Sequence, residues 1–222
     1  MRNLRTEEEI VANWKGSHEK PVVSICCITY NHGSYIEDAL EGFLIQETDF
    51  PFEILIHDDA STDRTAEIGR EYEAKYPKLI KPIYQSENQY SKLPVISPRF
   101  LFPIAKGEYI AMCEGDDYWT DVNKLQIQIT AMKGQPEIGI SFHPAYLLKD
   151  EKISGIMARR HNKDKIYTAS EMILGGGGFC PTPSLIIKRE KIINLPEWFY
   201  KEAPVGDYFF QIFSSLNDGA LY

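Results

Sequence analysis

Apolar positions along the chain fall into two rhythms, compact β-branched runs and helical spacings, separated by polar punctuation. Glu7 to Trp14 carries apolar residues at helical intervals, and Lys20-Pro21 ends that pattern before a run from Val22 to Thr29. A short run this apolar predicts a parallel strand covered on both faces. Asn31 to Ser34 supplies turn and cap residues, after which Tyr35, Ile36, Ala39, Leu40, Phe43 and Leu44 recur at helical spacing until Gln46. A second run, Phe52 to His57, ends in Asp58-Asp59-Ala60-Ser61-Thr62-Asp63, and a helical pattern (Ala66, Ile68, Tyr72, Tyr76) follows until Pro77. Leu79 to Tyr84 reads as a third strand, Phe100 to Lys106 as a helix, and Tyr109 to Cys113 as a fourth strand ending in Glu114-Gly115-Asp116-Asp117.

Beyond Asn123 the spacing of Leu125, Ile127, Ile129 and Met132 predicts a helix, and Gly139 to Leu148 a strand. Lys149 to Lys165 is charged and predicts a mobile loop; Gly175 to Gly178 is a four-glycine stretch, and Ser184 to Ile187 a further strand. Strands alternating with helices predict an α/β fold with a mainly parallel sheet and ligands at the strands' carboxyl ends. Both acidic clusters fall at such ends. No repeat or linker divides the chain, so 1–222 reads as one domain with an N-terminal extension at 1–20.

Apolar residues at 43 % and charged residues at 25 % are ordinary for a folded globular chain. Twenty-four Lys and Arg against 32 Asp and Glu give a net charge of −8, which repels phosphate backbones and argues against a nucleic-acid partner. Any polyanionic ligand then needs a local basic site or a bridging cation. The four cysteines, Cys26, Cys27, Cys113 and Cys180, lack zinc-site spacing and read as reduced core thiols of a cytoplasmic protein. The polar N-terminus is no secretory h-region, and no apolar run reaches the roughly 18 residues of a membrane span. Peripheral association with the inner face of the plasma membrane stays open, as does a homo-oligomer.

Like charges a few ångströms apart repel, so the carboxylates at Glu114, Asp116 and Asp117 call for compensation. Mg²⁺ or Mn²⁺ would supply it and would usually be completed by substrate phosphates; the alternative is a solvated turn capping the helix after Trp119. Asp63, Ser61 and Thr62 fit a helix N-cap, whereas Asp58 and Asp59 lie at the strand's exit, where a base or ribose would be read.

Four pieces in order complete the picture: Ser24-Ile25-Cys26-Cys27-Ile28-Thr29-Tyr30-Asn31 with Tyr35-Ile36; Asp58-Asp59-Ala60-Ser61-Thr62-Asp63; Ala105-Lys106-Gly107-Glu108-Tyr109-Ile110; and Glu114-Gly115-Asp116-Asp117-Tyr118-Trp119 with Lys124-Leu125 and Gln128. Together they resemble a bacterial-type, inverting family 2 glycosyltransferase of the GT-A fold, over roughly residues 20 to 150. The resemblance implies a nucleotide-sugar-binding half at 21–130 and an acceptor-side half at 131–222. It implies that Thr29, Tyr30 and Asn31 line the nucleotide, Tyr30 by stacking, and that Asp58 or Asp59 bonds the uracil edge or ribose. Asn88 and Arg99 fall around the same pocket, Arg99 offering positive charge to a diphosphate. Glu114-Gly115-Asp116 takes the DxD position with Glu in place of the first Asp, so Asp116 and Glu114 are the implied metal ligands, and Asp117 faces the donor sugar. Gly206-Asp207-Tyr208, before the apolar run Phe209 to Phe213, implies Asp207 as the base that deprotonates the acceptor hydroxyl.

The implied reaction moves a hexose from a nucleotide-diphosphate sugar, uridine-linked by expectation, to a hydroxyl of a glycan, lipid-linked sugar or glycoprotein. Two alternatives stand beside it: a nucleotidyltransferase, disfavoured because no glycine-rich basic loop follows the first strand, and a non-catalytic nucleotide-sugar-binding scaffold that needs a partner. His57 and His143 read as packed structural residues, Gly175 to Gly178 as a flexible acceptor-side loop, and Arg159, Arg160, His161, Lys163 and Lys165 as a solvated basic stretch.

Overall fold

The computed structural model describes residues 4–92, 95–203 and 205–222. In chain order the elements are α1 (Glu7–Val11), β1 (Val23–Thr29), α2 (Ile36–Leu44), β2 (Phe52–Asp58), α3 (Thr65–Lys75), β3 (Ile80–Tyr84), α4 (Ser97–Phe100), β4 (Tyr109–Met112) and α5 (Lys124–Lys133). Then come β5 (Ile140–Ser141), β6 (Ala145–Lys149), β7 (Lys152–Met157), β8 (Ile166–Tyr167), α6 (Ala169–Gly175), β9 (Ile186–Lys188), α7 (Phe199–Glu202), α8 (Gly206–Ser215) and β10 (Ala220–Leu221). Among the described residues the main sheet runs β3-β2-β1-β4-β9-β5-β10-β8, and β6-β7 stand apart as a two-stranded hairpin.

The half that carries both acidic clusters is parallel: β1 pairs in parallel with β2 and β4, and β2 with β3. Its strands are buried throughout β1, β2 and β4 except at Ile28, as apolar runs without alternation require when helices cover both faces. Beyond β4 the sheet becomes mixed, with β9 antiparallel to both β4 and β5. Two apolar cores lie on its faces. One takes Ile25, Cys27, Phe43, Ile54 and Leu125; the other takes Cys26, Leu55, Ile110, Phe102, Phe142 and Phe210. The residues before β1 join the first core through Ile10, and Glu7 accepts the backbone N–H groups of Lys78 and Leu79. All four cysteines are buried and free.

Three expected elements differ. The helix expected at Phe100 to Lys106 is a single turn at Ser97–Phe100, because Pro98 suits a first turn and Pro103 has no N–H to continue the ladder. The strand expected from Gly139 to Leu148 is split after Ser141, where Phe142, His143 and Pro144 lead out of the sheet and Pro144 cannot donate to it. Of the segment expected as a mobile loop from Lys149 to Lys165, Lys152–Met157 instead returns as β7, paired with β6 from Ala145↔Met157 to Lys149↔Lys152, while residues 158–165 carry no helix or strand. Its tight turn at Asp150 and Glu151 has φ of 51° and 61°, a conformation found there without the glycine that normally announces it.

Candidate functional site

The site grows from strand register. Thr29, Asp58 and Tyr84 are level neighbours across β1, β2 and β3, so the three strands end along one edge. Strand β4 stops earlier, at Met112 opposite Cys26, but its chain continues alongside β1: Cys113 donates to the Cys26 carbonyl and Gly115 to that of Ile28. The acidic loop is therefore laid against the end of β1. Only glycine fits at 115, since a Cβ there would lie 2.6 Å from Thr29 Oγ1 and 3.0 Å from His32 Nδ1.

Glu114, Asp116 and Asp117 each offer a carboxylate oxygen within 4.8 Å of the others. Burial, followed by the charges of Asp116, Asp117 and Asp207, pushes the Glu114 carboxyl up to about 7. Burial and Asp116 push Asp117 up to about 6. A hard divalent cation would relieve this repulsion and take three oxygen donors at once, so the residues fit such a group. His32 adds to the fit: its Nδ1 is 3.8 Å from Asp116 Oδ1, beyond hydrogen-bond distance, and is buried without a partner among the described residues, as is Thr29 Oγ1. Nothing local in the sequence marks His32 apart from its place after Asn31 at the strand's exit.

The β2 end is a scaffold of hydrogen bonds. Asp58 is buried and accepts from the Ser61 hydroxyl and, at 3.3 Å, from the Ser61 N–H. Asp59, also buried, accepts from the backbone of Gln89 (2.7 Å) and Tyr90 (2.9 Å), while Asn88 donates to its carbonyl at 3.3 Å and accepts from Ser91 N–H at 2.8 Å. Asn31, at φ 56°, accepts from Thr62 N–H, and its own N–H donates to Ser61 Oγ. Asp63 accepts from Gly33 and from Thr65, the first residue of α3, so it ties the two loops, while the N-cap position of that helix is Arg64. These bonds fix the loops after β1 and β2 to each other and leave the Tyr30 ring 44 % exposed above them.

Arg99 turns toward α7: its guanidinium donates to the Tyr200 carbonyl at 2.7 Å and lies 5.3 Å from the centre of that ring. His57 is fully buried and stacked on Phe100, and burial lowers its pKa. The four-glycine stretch closes α6 and continues as a one-turn 3₁₀ helix, Gly177–Phe179.

Asp207 sits in the first turn of α8 and reaches the site from the far end of the chain. Its Oδ2 accepts from Thr182 Oγ1 at 3.0 Å and its Oδ1 from Tyr208 N–H at 2.7 Å. Asp207 and Glu114 line one cleft of about 220 Å³, together with Ile28, Tyr90, Met112 and Thr182. The cleft joins the acidic loop, the end of β1 and the start of α8. Thr182 was not singled out by any sequence signal beyond its place between two prolines.

Comparison with known proteins identifies the family and the fold. The Glycosyl transferase family 2 model matches residues 24–194. The uncharacterized protein Rv1520 of Mycobacterium tuberculosis is 44 % identical over 132 residues, covering 58 % of this chain and 36 % of that protein. WfaP of Escherichia coli, named a UDP-Glc:α-D-GlcNAc-diphosphoundecaprenol β-1,3-glucosyltransferase, is 34 % identical over 137 residues, covering 62 % of this chain and 51 % of its own length. The crystal structure of Staphylococcus aureus TarS 1-349 in complex with UDP superposes with a TM-score of 0.66 at 21 % identity, covering 90 % of this chain and 56 % of the other, which shows a shared fold. The chain thus spans between about a third and a half of the length of these curated relatives.

Proposed function

Because the chain belongs to glycosyl transferase family 2 and has its GT-A fold, we propose that it transfers a hexosyl group from a UDP-sugar to a hydroxyl of a glycan acceptor, lipid-linked in our reading, with inversion at the anomeric carbon. The observation that carries this is the convergence of Glu114 and Asp207 on one cleft at the carboxyl edge of the parallel strands, where α/β sheets bind ligands. The names of the relatives support the donor and acceptor classes: TarS was crystallised with UDP, and WfaP is named for UDP-Glc and a diphosphoundecaprenol acceptor.

In this reading the exposed Tyr30 ring stacks on the base, and Thr29 and Asn31 shape the floor beneath it. Asp58, Asp59 and Asn88 bind the nucleotide chiefly by holding the loops around it, since their polar atoms are already engaged there. Arg99, whose guanidinium is bonded to the Tyr200 carbonyl, is not assigned to the diphosphate in this reading. Asp116, Glu114 and Asp117 would hold Mn²⁺ or Mg²⁺, Asp117 on the donor-sugar side; such a cation supplies electrostatic stabilisation of the departing diphosphate. Asp207 takes the proton of the acceptor hydroxyl as its oxygen bonds to the anomeric carbon and the carbon–oxygen bond to UDP breaks on the opposite face. Thr182 Oγ1 and the Tyr208 N–H keep that carboxylate aimed into the cleft. No helix among the described residues is long and apolar enough to cross a membrane; we place the work in the cytoplasm, with the acceptor presented at the membrane face.

Asp207→Asn tests the assignment in a transfer assay with UDP-sugars. The expected result is a kcat reduced by about 10²–10⁴-fold, the usual contribution of a general base, with UDP affinity changed less than about twofold. Undiminished turnover would remove Asp207 from the mechanism.

A further inference from the structure

The β6–β7 hairpin carries apolar side chains that the described structure leaves about half exposed. Cross-strand pairing puts Tyr146 opposite Ile156 and, past a one-residue bulge, Leu148 opposite Ile153. The four therefore share a face, and they are 61 %, 42 %, 46 % and 62 % exposed in that order. A free two-stranded hairpin is marginal in water by itself, and this one leaves its apolar face to solvent. The charge around it is the reverse of the rest of the molecule. Between residues 145 and 165 six basic side chains face three acids, a local +3 in a chain of −8. Lys149, Lys152, Arg159 and Lys163 make no ion pair among the described residues. Arg159 and Lys163 also line a shallow basin of about 500 Å³ with Arg160, His161 and Asn162.

We propose that this hairpin is a docking surface for an anionic phospholipid bilayer. It lies flat on the membrane, Tyr146, Leu148, Ile153 and Ile156 entering the interface while Arg159 and Lys163, in the segment that follows β7, meet headgroup phosphates. The flat pose follows from the tip, where Asp150 and Glu151 occupy the turn and oppose insertion end-on. Apolar area and basic side chains acting together are what reversible interfacial binding requires. The other face anchors the hairpin to the site: Gly178 faces Met157, at 3.6 Å from where its Cβ would be, and Gly177 likewise faces Tyr208, the neighbour of Asp207. Arg160 clamps the end of β7, its guanidinium 3.6 Å from the Phe179 ring centre and bonded to that residue's carbonyl.

The surface stands or falls independently of transfer, so its test reads binding alone. The chain is sedimented with vesicles of phosphatidylcholine and with vesicles in which roughly one-third is phosphatidylglycerol, at low and high salt. The expected result is salt-sensitive binding to the anionic vesicles only. Arg159→Ala with Lys163→Ala should weaken it by about fivefold per residue, the conversion of about 1 kcal/mol per basic side chain near an anionic surface. Leu148→Ser with Ile153→Ser should abolish it while leaving the melting temperature unchanged, both residues being exposed. Equal binding by parent and variants, or none to either vesicle, overturns the proposal. So does a parent chain that is dimeric in solution and becomes monomeric in Leu148→Ser with Ile153→Ser, which would assign the face to a second copy.

Discussion

Asp58 and Asp59 are sequence neighbours with separate structural tasks: one closes its own turn on Ser61, the other accepts two N–H groups from the 88–91 loop. Both were singled out by their place at the strand's exit, but the partners of Asp59 were not legible in the sequence, since Gln89 and Tyr90 contribute only backbone. His143 offers a pH test at the same scale. Burial first, and then the nearby charge of Lys124, lower its pKa from the ordinary 6.5 to about 4, and its Nε2 is buried without a partner among the described residues. The unfolded chain takes up this proton below 6.5, whereas the folded chain resists it until about 4. Stability from this ring is thus present above 6.5 and lost as pH falls toward 4. In urea titrations the stability difference between parent and His143→Gln should shrink by roughly 2–3 kcal/mol across that window. A difference independent of pH would contradict the placement of the ring.

At the scale of elements, the parallel strands were readable because each is a short buried run bounded by a turn and followed by a helical repeat. The hairpin was not: its turn residues Asp150 and Glu151 look like solvated charge, and its pairing with β6 is nonlocal information. The split of β5 from β6 was marked by Pro144, whose missing N–H outweighs the apolar run around it. Among the contacts that hold the acidic loop on β1 is Gly115, whose N–H donates to the Ile28 carbonyl and whose backbone lies against Thr29. Gly115→Ala would force Cβ within 2.6 Å of Thr29 Oγ1, so the loop must shift away from β1. Mn²⁺ affinity, read by calorimetry, should fall by about tenfold or more, while melting shifts by only a few degrees. Unaltered metal affinity would show that this contact does not set the carboxylates.

Over the whole molecule, a chain of net charge −8 places two acidic clusters at the carboxyl edge of its parallel strands and a local excess of basic residues around one hairpin, and the family model matches residues 24–194. The sequence marked the two halves of the cleft separately. Glu114 follows β4 and Asp207 begins α8, and only the mixed part of the sheet, with β9 antiparallel beside β4, brings them together. The central claim is that Glu114, Asp116 and Asp117 bind a divalent cation that in turn holds a nucleoside diphosphate. Calorimetric titration of the chain with UDP, with and without Mn²⁺, repeated on Asp116→Ala, tests it most directly. The account predicts binding strengthened about tenfold or more by the metal in the parent and indifferent to it in the variant. UDP affinity unaffected by Mn²⁺ in the parent, or equally metal-dependent after Asp116→Ala, would contradict it.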